Sequence, residues 1–170
     1  MGSEMCIRDR LEDNKIDIGL IGKPENLKNI HFDFLEEIED IFVAAKDYLR
    51  NLKARGIQKD HILQSSTLML LDKNNMTRQY IDDYLQENQI IIKDSIDISD
   101  MDLLIDFARI GVGVACVIKN FVREDLENGT LMEIPLGFPI HKREVGFAYK
   151  TTTKPSKSLA EFIHFYKTYR

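Results

Sequence analysis

The residues best suited to chemistry gather in DKNNMTRQY, where Asn74, Asn75, Thr77 and Arg78 follow an apolar run and precede an amphipathic one. Two amides, a hydroxyl and a guanidinium set beside the open N–H groups of a helix start suit a carboxylate or another anion. The same residues read equally well without a ligand: Asn75 or Thr77 caps the helix and Arg78 pairs with Asp82 one turn on. A second candidate wall is Ser99, Asp100 and Met101, where ISDMDLL opens a helix, with Ile118 at the end of the strand that follows. Ser99 precedes Asp102 at capping-box spacing, so its hydroxyl serves either as a cap or as a donor to a ligand. Asp100 beside it repels an anion.

These side chains need elements to hold them. Residues 98–118, ISDMDLLIDFARIGVGVACVI, supply the central ones. Leu103, Leu104, Phe107, Ala108 and Ile110 form one helical stripe, and Gly111 offers the positive φ that ends many helices. VGVACVI then reads as a strand buried on both faces. In a sheet of this kind ligands sit at the carboxyl ends of strands, where helix starts point their N–H groups.

The rest of the chain alternates in the same way. Strands are expected over 16–21, 31–35 (an exposed edge), 38–45, 67–71, 90–92, 131–134 and 144–149. Weak helix is expected over 47–55, a helix with the stripe Met76, Tyr80, Ile81, Tyr84 and Leu85, and a short helix over 121–127. Residues 150–155 read as a turn-rich link. A last helix, capped by Ser156 or Ser158, should bury Leu159, Phe162, Ile163, Tyr166 and Tyr169. Residues 1–10 show no periodicity; they read as a non-native leader and stand outside the fold argument. Alternating strands and helices make the class α/β, and the chain leaves one lobe near Ala45 and returns near Tyr149. A cleft between two lobes is a natural place for a small ligand.

Composition narrows the function. A chain of 170 residues with 44% hydrophobic and 30% charged residues can build a proper core. Its net charge of −5 argues against phosphate-backbone binding by this piece. No stretch has the length and apolarity of a membrane span, and the N-terminus lacks a secretory h-region, so the chain reads as cytoplasmic. Cys6 and Cys116 give no disulfide framework, and Cys116, inside an apolar strand, reads as a small hydrophobe. His31, His61, His141 and His164 are scattered, and the acids between Asp94 and Asp106 lack a calcium-loop pattern, so no metal or cofactor is implied. Nucleophile-elbow, phosphate-loop and dinucleotide fingerprints are absent.

Four stretches together carry a family resemblance: LEDNKIDIGLI, LEEIEDIFVAAKDY, LLIDFARIGVGVACVIKNFVREDLENGTLMEIPL and VGFAYKTTTKPSKSLAEFIHFY. In this order and spacing they resemble the effector-binding domain of LysR-type transcriptional regulators. The resemblance implies a two-lobed periplasmic-binding-protein type II-like fold, with 11–44 and 150–170 as lobe I and 45–149 as lobe II. It also implies a small-molecule effector in the cleft between lobes, lined by the positions that Asn74, Asn75, Thr77 and Arg78 occupy here, and self-association of the domain. The family's winged helix-turn-helix is absent, so DNA is read only through a domain this chain lacks. The first strand and helix of the effector domain are absent too, which leaves the first lobe incomplete. A rival reading is enzymatic: Asn75-Met76-Thr77-Arg78 resembles the Asn-x-Thr-Arg-Phe element of prephenate dehydratases, with Gln79 in place of the phenylalanine. A solute-binding protein shares the architecture, although no export signal is present.

Overall fold

Among the described residues there are seven helices, two short 3-10 turns and eight strands, and the strands form two sheets. The computed structural model describes residues 4–24, 26, 28–151 and 155–169. The chain divides into a first unit of residues 1–37 and 143–170 and a second unit of residues 38–142. These boundaries fall seven residues earlier on each side than the crossings expected near Ala45 and Tyr149, because strand β3 (Asp40–Ala45) belongs wholly to the second unit and β8 (Arg143–Lys150) to the first.

The first unit is a three-stranded sheet in the order β1-β8-β2, with β1 at Gly19–Gly22 and β2 at Ile30–Ile38. The edge strand expected at 31–35 is β2, and it does lie at an edge. Alternation along β8 assigns one face to each helix. Ala148 joins Leu11, Ile21 and Ile30 in a small core closed by Ile7 and Leu11 of helix α1 (Glu4–Glu12). The segment set aside as a leader is therefore helical over its described part, and residues 1–3 lie outside the described residues. Phe147, one residue before Ala148, meets the last helix, α7 (Lys157–Thr168), edge-on through Phe162 and Tyr166, both with ring centroids 5.1 Å away. Ser156 caps α7 by accepting from the Leu159 N–H at 3.3 Å.

The stripe expected on α7 is only partly realised. Leu159 is buried, whereas Phe162 is 41% exposed and Tyr169 76% exposed, because a three-stranded sheet is too narrow to cover the whole face. The link expected over 150–155 falls partly on 152–154, which lie outside the described residues. Asp33 of β2 ties this face together. Its carboxylate meets the His31 Nε2 at 3.0 Å and the Lys167 Nζ at 3.4 Å, and accepts from the Tyr149 hydroxyl at 3.2 Å.

The second unit is a five-stranded mixed sheet in the order β5-β4-β6-β3-β7. Here β4 is Thr67–Leu71, β5 Asp94–Ile98, β6 Val114–Ile118 and β7 Leu131–Glu133. Strands β4, β5 and β6 run parallel, and β3 runs antiparallel to β6 and β7. The all-apolar β6 does what its composition demands. Val114 and Cys116 enter the core on one face, Ala115 and Val117 the core on the other.

Helices α2 (Lys46–Ala54), α3 (Ile62–Ser65) and α4 (Met76–Glu87) cover the first of these faces with Leu52, Ile62, Leu63, Ile81, Tyr84 and Leu85. Helix α5 (Met101–Arg109) and the short α6 (Arg123–Asn128) cover the second. Two expectations shift. The strand placed at 90–92 is β5 instead, at Asp94–Ile98, an edge strand exposed through Asp97 that pairs with β4 alone. The α5 stripe is Leu104, Ile105 and Ala108, flanked by Met101 and Phe107, while Leu103 is 39% and Ile110 74% exposed. Ile110 lies past the last helical residue as the C-cap, and Gly111 follows at φ +77°.

Candidate functional site

Parallel pairing decides where the candidate residues meet. Leu71 is level with Ile98 in the β4–β5 pair, and Leu68 with Val114 in the β4–β6 pair. The carboxyl ends of β4, β5 and β6 thus share one sheet edge. Asn74, Asn75 and Thr77 follow β4, Ser99, Asp100 and Met101 follow β5, and Ile118 ends β6, so all of them lie along that edge. Helices α4 and α5 start there on opposite faces of the sheet, α4 packing with Leu68 and Leu70 and α5 with Met69 and Leu71. The Asp72 N–H donates to the Ile98 carbonyl at 3.1 Å and stitches the two turns together.

Each tip is built differently. At α4, Asn75 is the N-cap, and its Oδ1 accepts from the Thr77 N–H at 2.9 Å. Asn74 and Asn75 are exposed and Thr77 is half-buried. At α5 the cap is Asp100, not Ser99: Asp100 Oδ1 accepts from the Leu103 N–H at 2.8 Å. Ser99 donates only to Asp100 Oδ2, at 3.4 Å. The physical reason is register: the helix begins at Met101, so the residue just before it is Asp100. The tip of α4 is therefore capped by a neutral amide and that of α5 by a carboxylate.

Arg78 departs most from the expectation of a ligand-facing cation. It is 6% exposed. Its Nε donates to Asp82 at 2.8 Å, and its Nη1 donates to the Leu71 carbonyl at 2.8 Å and to Asp97 at 2.5 Å. Burial lowers its pKa, but the hydrogen bonds to Asp82 and Asp97 outweigh burial and the net shift is upward. The guanidinium is fixed as a strut between α4, β4 and β5.

Two further groups lie on this edge that sequence reasoning passed over. Asp97 was grouped with other acids of its segment; only the pairing of β5 with β4 brings it to Arg78. Asp40, level with Ile118 in the β3–β6 pair, is 2% exposed, and its signal was a carboxylate at the head of the apolar run IFVAA. Beside Ile118, Lys119 binds Glu133 at 3.1 Å and Glu39 at 3.3 Å. Glu133 above all holds its ammonium charged and raises its pKa. Among the described residues there is no group of three or more side chains suited to a metal ion, and no helix is long and apolar enough to cross a membrane.

An edge of this form, with helix starts after the ends of adjacent parallel strands, is the ligand-binding geometry of α/β sheets. The LysR substrate binding domain family matches residues 3–170. The chain belongs to that family. Its fold is the periplasmic-binding-protein type II-like fold of LysR regulatory domains. It is 22% identical over 166 residues to the uncharacterized HTH-type transcriptional regulator YeiE of Escherichia coli K12, covering 97% of this chain and 55% of that protein. The chain thus spans about half the length of the curated relatives it matches.

Among solved structures, this LysR substrate-binding chain is similar to the apo regulatory domain of HypT from Salmonella typhimurium, with TM-score 0.80 and 18% identity over 99% of this chain and 78% of that one. It is also similar to the CcmR regulatory domain of Synechocystis PCC6803 in complex with 2-PG, with TM-score 0.75 and 13% identity over 96% and 77% of the two chains. At these identities the likeness establishes the fold.

Proposed function

We propose that the chain is the small-molecule sensor of a LysR-type regulator, with its effector held on the edge formed by the ends of β4, β5 and β6. The observation that carries this reading is the convergence of two helix starts after adjacent parallel strands, each flanked by side chains that hydrogen-bond. The α4 tip, with Asn74, Asn75 and Thr77, suits an anionic group of the effector, since it presents amides, a hydroxyl and the positive end of a helix. The α5 tip suits the effector's hydroxyls, because Asp100 accepts hydrogen bonds, Ser99 adds a hydroxyl, and Met101 and Ile118 give an apolar wall. Arg78 enters as the strut that sets the α4 tip. The effector class is therefore a small hydroxylated carboxylate or phosphate. The complex of CcmR with 2-PG supports a small ligand for this fold. Family membership favours the sensor over the prephenate dehydratase-like and solute-binding alternatives. DNA recognition belongs to a separate domain, self-association follows the family, and effector control acts through differential affinity for two arrangements.

A thermal-shift screen of hydroxy-carboxylates and phosphate monoesters tests the proposal. A ligand present at a hundredfold excess over its Kd stabilises the folded chain by about 2.7 kcal/mol. The expected result is a saturable rise in melting midpoint that is lost in Thr77→Ala and in Ser99→Ala. A hit whose affinity is unchanged in both variants, or a screen without hits, overturns it.

A further inference from the structure

The net charge of −5 is unevenly spread along the chain. Residues 46–61 hold five basic residues against two acidic ones, a local balance of +3, while the rest of the chain holds eighteen against twenty-six. The excess sits on α2 and on the 3-10 turn that follows it (Lys59–His61). Helix α2 gives Leu52, with Tyr48 and Leu49, to the core. Lys46, Arg50 and Lys53, at i, i+4 and i+7, share another side of the helix and are all exposed. Arg55 and Lys59, exposed as well, continue the positive field past the helix end. Arg50 shares its charge with Asp47 at 2.8 Å, but among the described residues Lys46, Lys53, Arg55 and Lys59 form no ion pair. Cations gathered in this way repel one another, and a polyanion relieves that repulsion.

The make-up of the patch chooses the polyanion. A protein partner wants an apolar or aromatic anchor at the centre of the contact, and no large hydrophobic residue between 46 and 61 is fully exposed. A phosphate backbone needs only cations and neutral hydrogen-bond donors, and the exposed amides of Asn51 and Gln58 add the second kind. The stripe from Lys46 to Lys53 runs roughly 10 Å along the helix, the length over which one DNA strand presents about three phosphates. We infer that the basic face of α2 rests on the phosphate backbone of duplex DNA, in a contact that reads no sequence. The inference goes beyond the sensor reading and rests on it for one thing only: in a LysR-type regulator a separate domain brings the duplex within reach. A contact too weak to hold DNA alone, against a net charge of −5, then acts at high effective concentration.

The test titrates short DNA duplexes of two unrelated sequences into the 15N-labelled chain and follows amide chemical shifts. Both duplexes are expected to shift the amides of residues 46–59, and to the same extent. Raising the salt from about 25 mM to about 100 mM should weaken binding about fortyfold, as about three phosphate contacts require. In Lys46→Gln/Lys53→Gln the slope of log affinity against log salt should fall by about two. Lys157→Gln, at an exposed lysine of α7, should change nothing. The inference is overturned if the shifts avoid residues 46–59, if salt leaves binding unchanged, or if the double variant binds as the parent does. It is overturned too if polyglutamate or vesicles containing phosphatidylglycerol bind more tightly than the duplex, which would assign the face to an acidic protein or a lipid surface. Should the double variant melt early, the salt dependence of the unaltered chain decides the matter alone. None of these substitutions touches the effector edge, so a failed effector screen and a failed duplex titration are separate results.

Discussion

Arg78 Nη1 donates to the Asp97 carboxylate at 2.5 Å across nineteen residues of sequence, and the same nitrogen donates to the carbonyl of Leu71. One guanidinium therefore holds the carboxyl end of β4, the first turns of α4 and the edge strand β5 in a single geometry. Two carboxylates, from Asp82 and Asp97, share its one positive charge.

Removing that strut should cost more than its salt bridges alone suggest. Arg78→Ala leaves the Leu71 carbonyl unpaired and two carboxylates close together, for an expected loss of about 2–4 kcal/mol. Asp82→Asn and Asp97→Asn act on carboxylates that are 47% and 41% exposed, so each should lose only about 1 kcal/mol or less. Urea unfolding of the three variants checks the ranking.

The cap of α5 makes a sharper contrast between neighbours. Asp100→Ala removes the acceptor for the Leu103 N–H and should cost about 1 kcal/mol, whereas Ser99→Ala should fall within about 0.5 kcal/mol of the parent. Equal losses in a thermal melt would return the capping role to Ser99.

Gly113 is fixed by a neighbour's backbone. A Cβ there would stand 2.4 Å from the Thr67 carbonyl oxygen at the pairing of β6 with β4. Gly113→Ala should therefore destabilise the second unit by about 3 kcal/mol, with loss of amide protection centred on β4 and β6 by hydrogen exchange.

Tyr149 and Asp33 give the first unit a pH signature at both extremes. Burial, reinforced by the Asp33 charge, pushes the Tyr149 phenol up to about 12 from 10.0. Its stabilising contribution is complete below pH 10 and vanishes as pH rises through 12. Burial raises the Asp33 carboxyl, but His31 and Lys167 outweigh it and hold the group below its ordinary 3.8. The stability from Asp33 is accordingly complete above pH 3.8 and is lost as pH falls through that lowered value. A tyrosinate absorbance titration should lose one late-titrating group in Tyr149→Phe, while Tyr84, whose phenol is also pushed up by burial, still titrates late. In Asp33→Asn the Tyr149 phenol should titrate earlier, yet remain above 10 because burial persists.

Sequence pattern revealed most where burial is continuous or local chemistry is decisive. The two-faced β6 could be read from VGVACVI alone, and Asn75 was already a capping candidate. It revealed least where a partner is distant or missing. Asp82 could be named for Arg78 because it is one helical turn away, but Asp97 arrives only through strand pairing. Periodicity marked an apolar face on α7 without saying how much of it the sheet would cover, and of that face Phe162 is 41% exposed. The polar edge strand β5 carries no hydrophobic signal before Ile96, which explains why the apolar Ile90 and Ile92 drew the assignment instead.

The strand order β1-β8-β2 has a consequence for biosynthesis. The strand in the middle of the first sheet is the last of the described strands to leave the ribosome, and until it does β1 and β2 lack the neighbour that each pairs with in the folded sheet. The five-stranded sheet, drawn from one uninterrupted stretch, can be complete by then. A nascent polypeptide stalled before Arg143 should thus present one finished half and one pair of open strand edges, the kind of surface that recruits a chaperone.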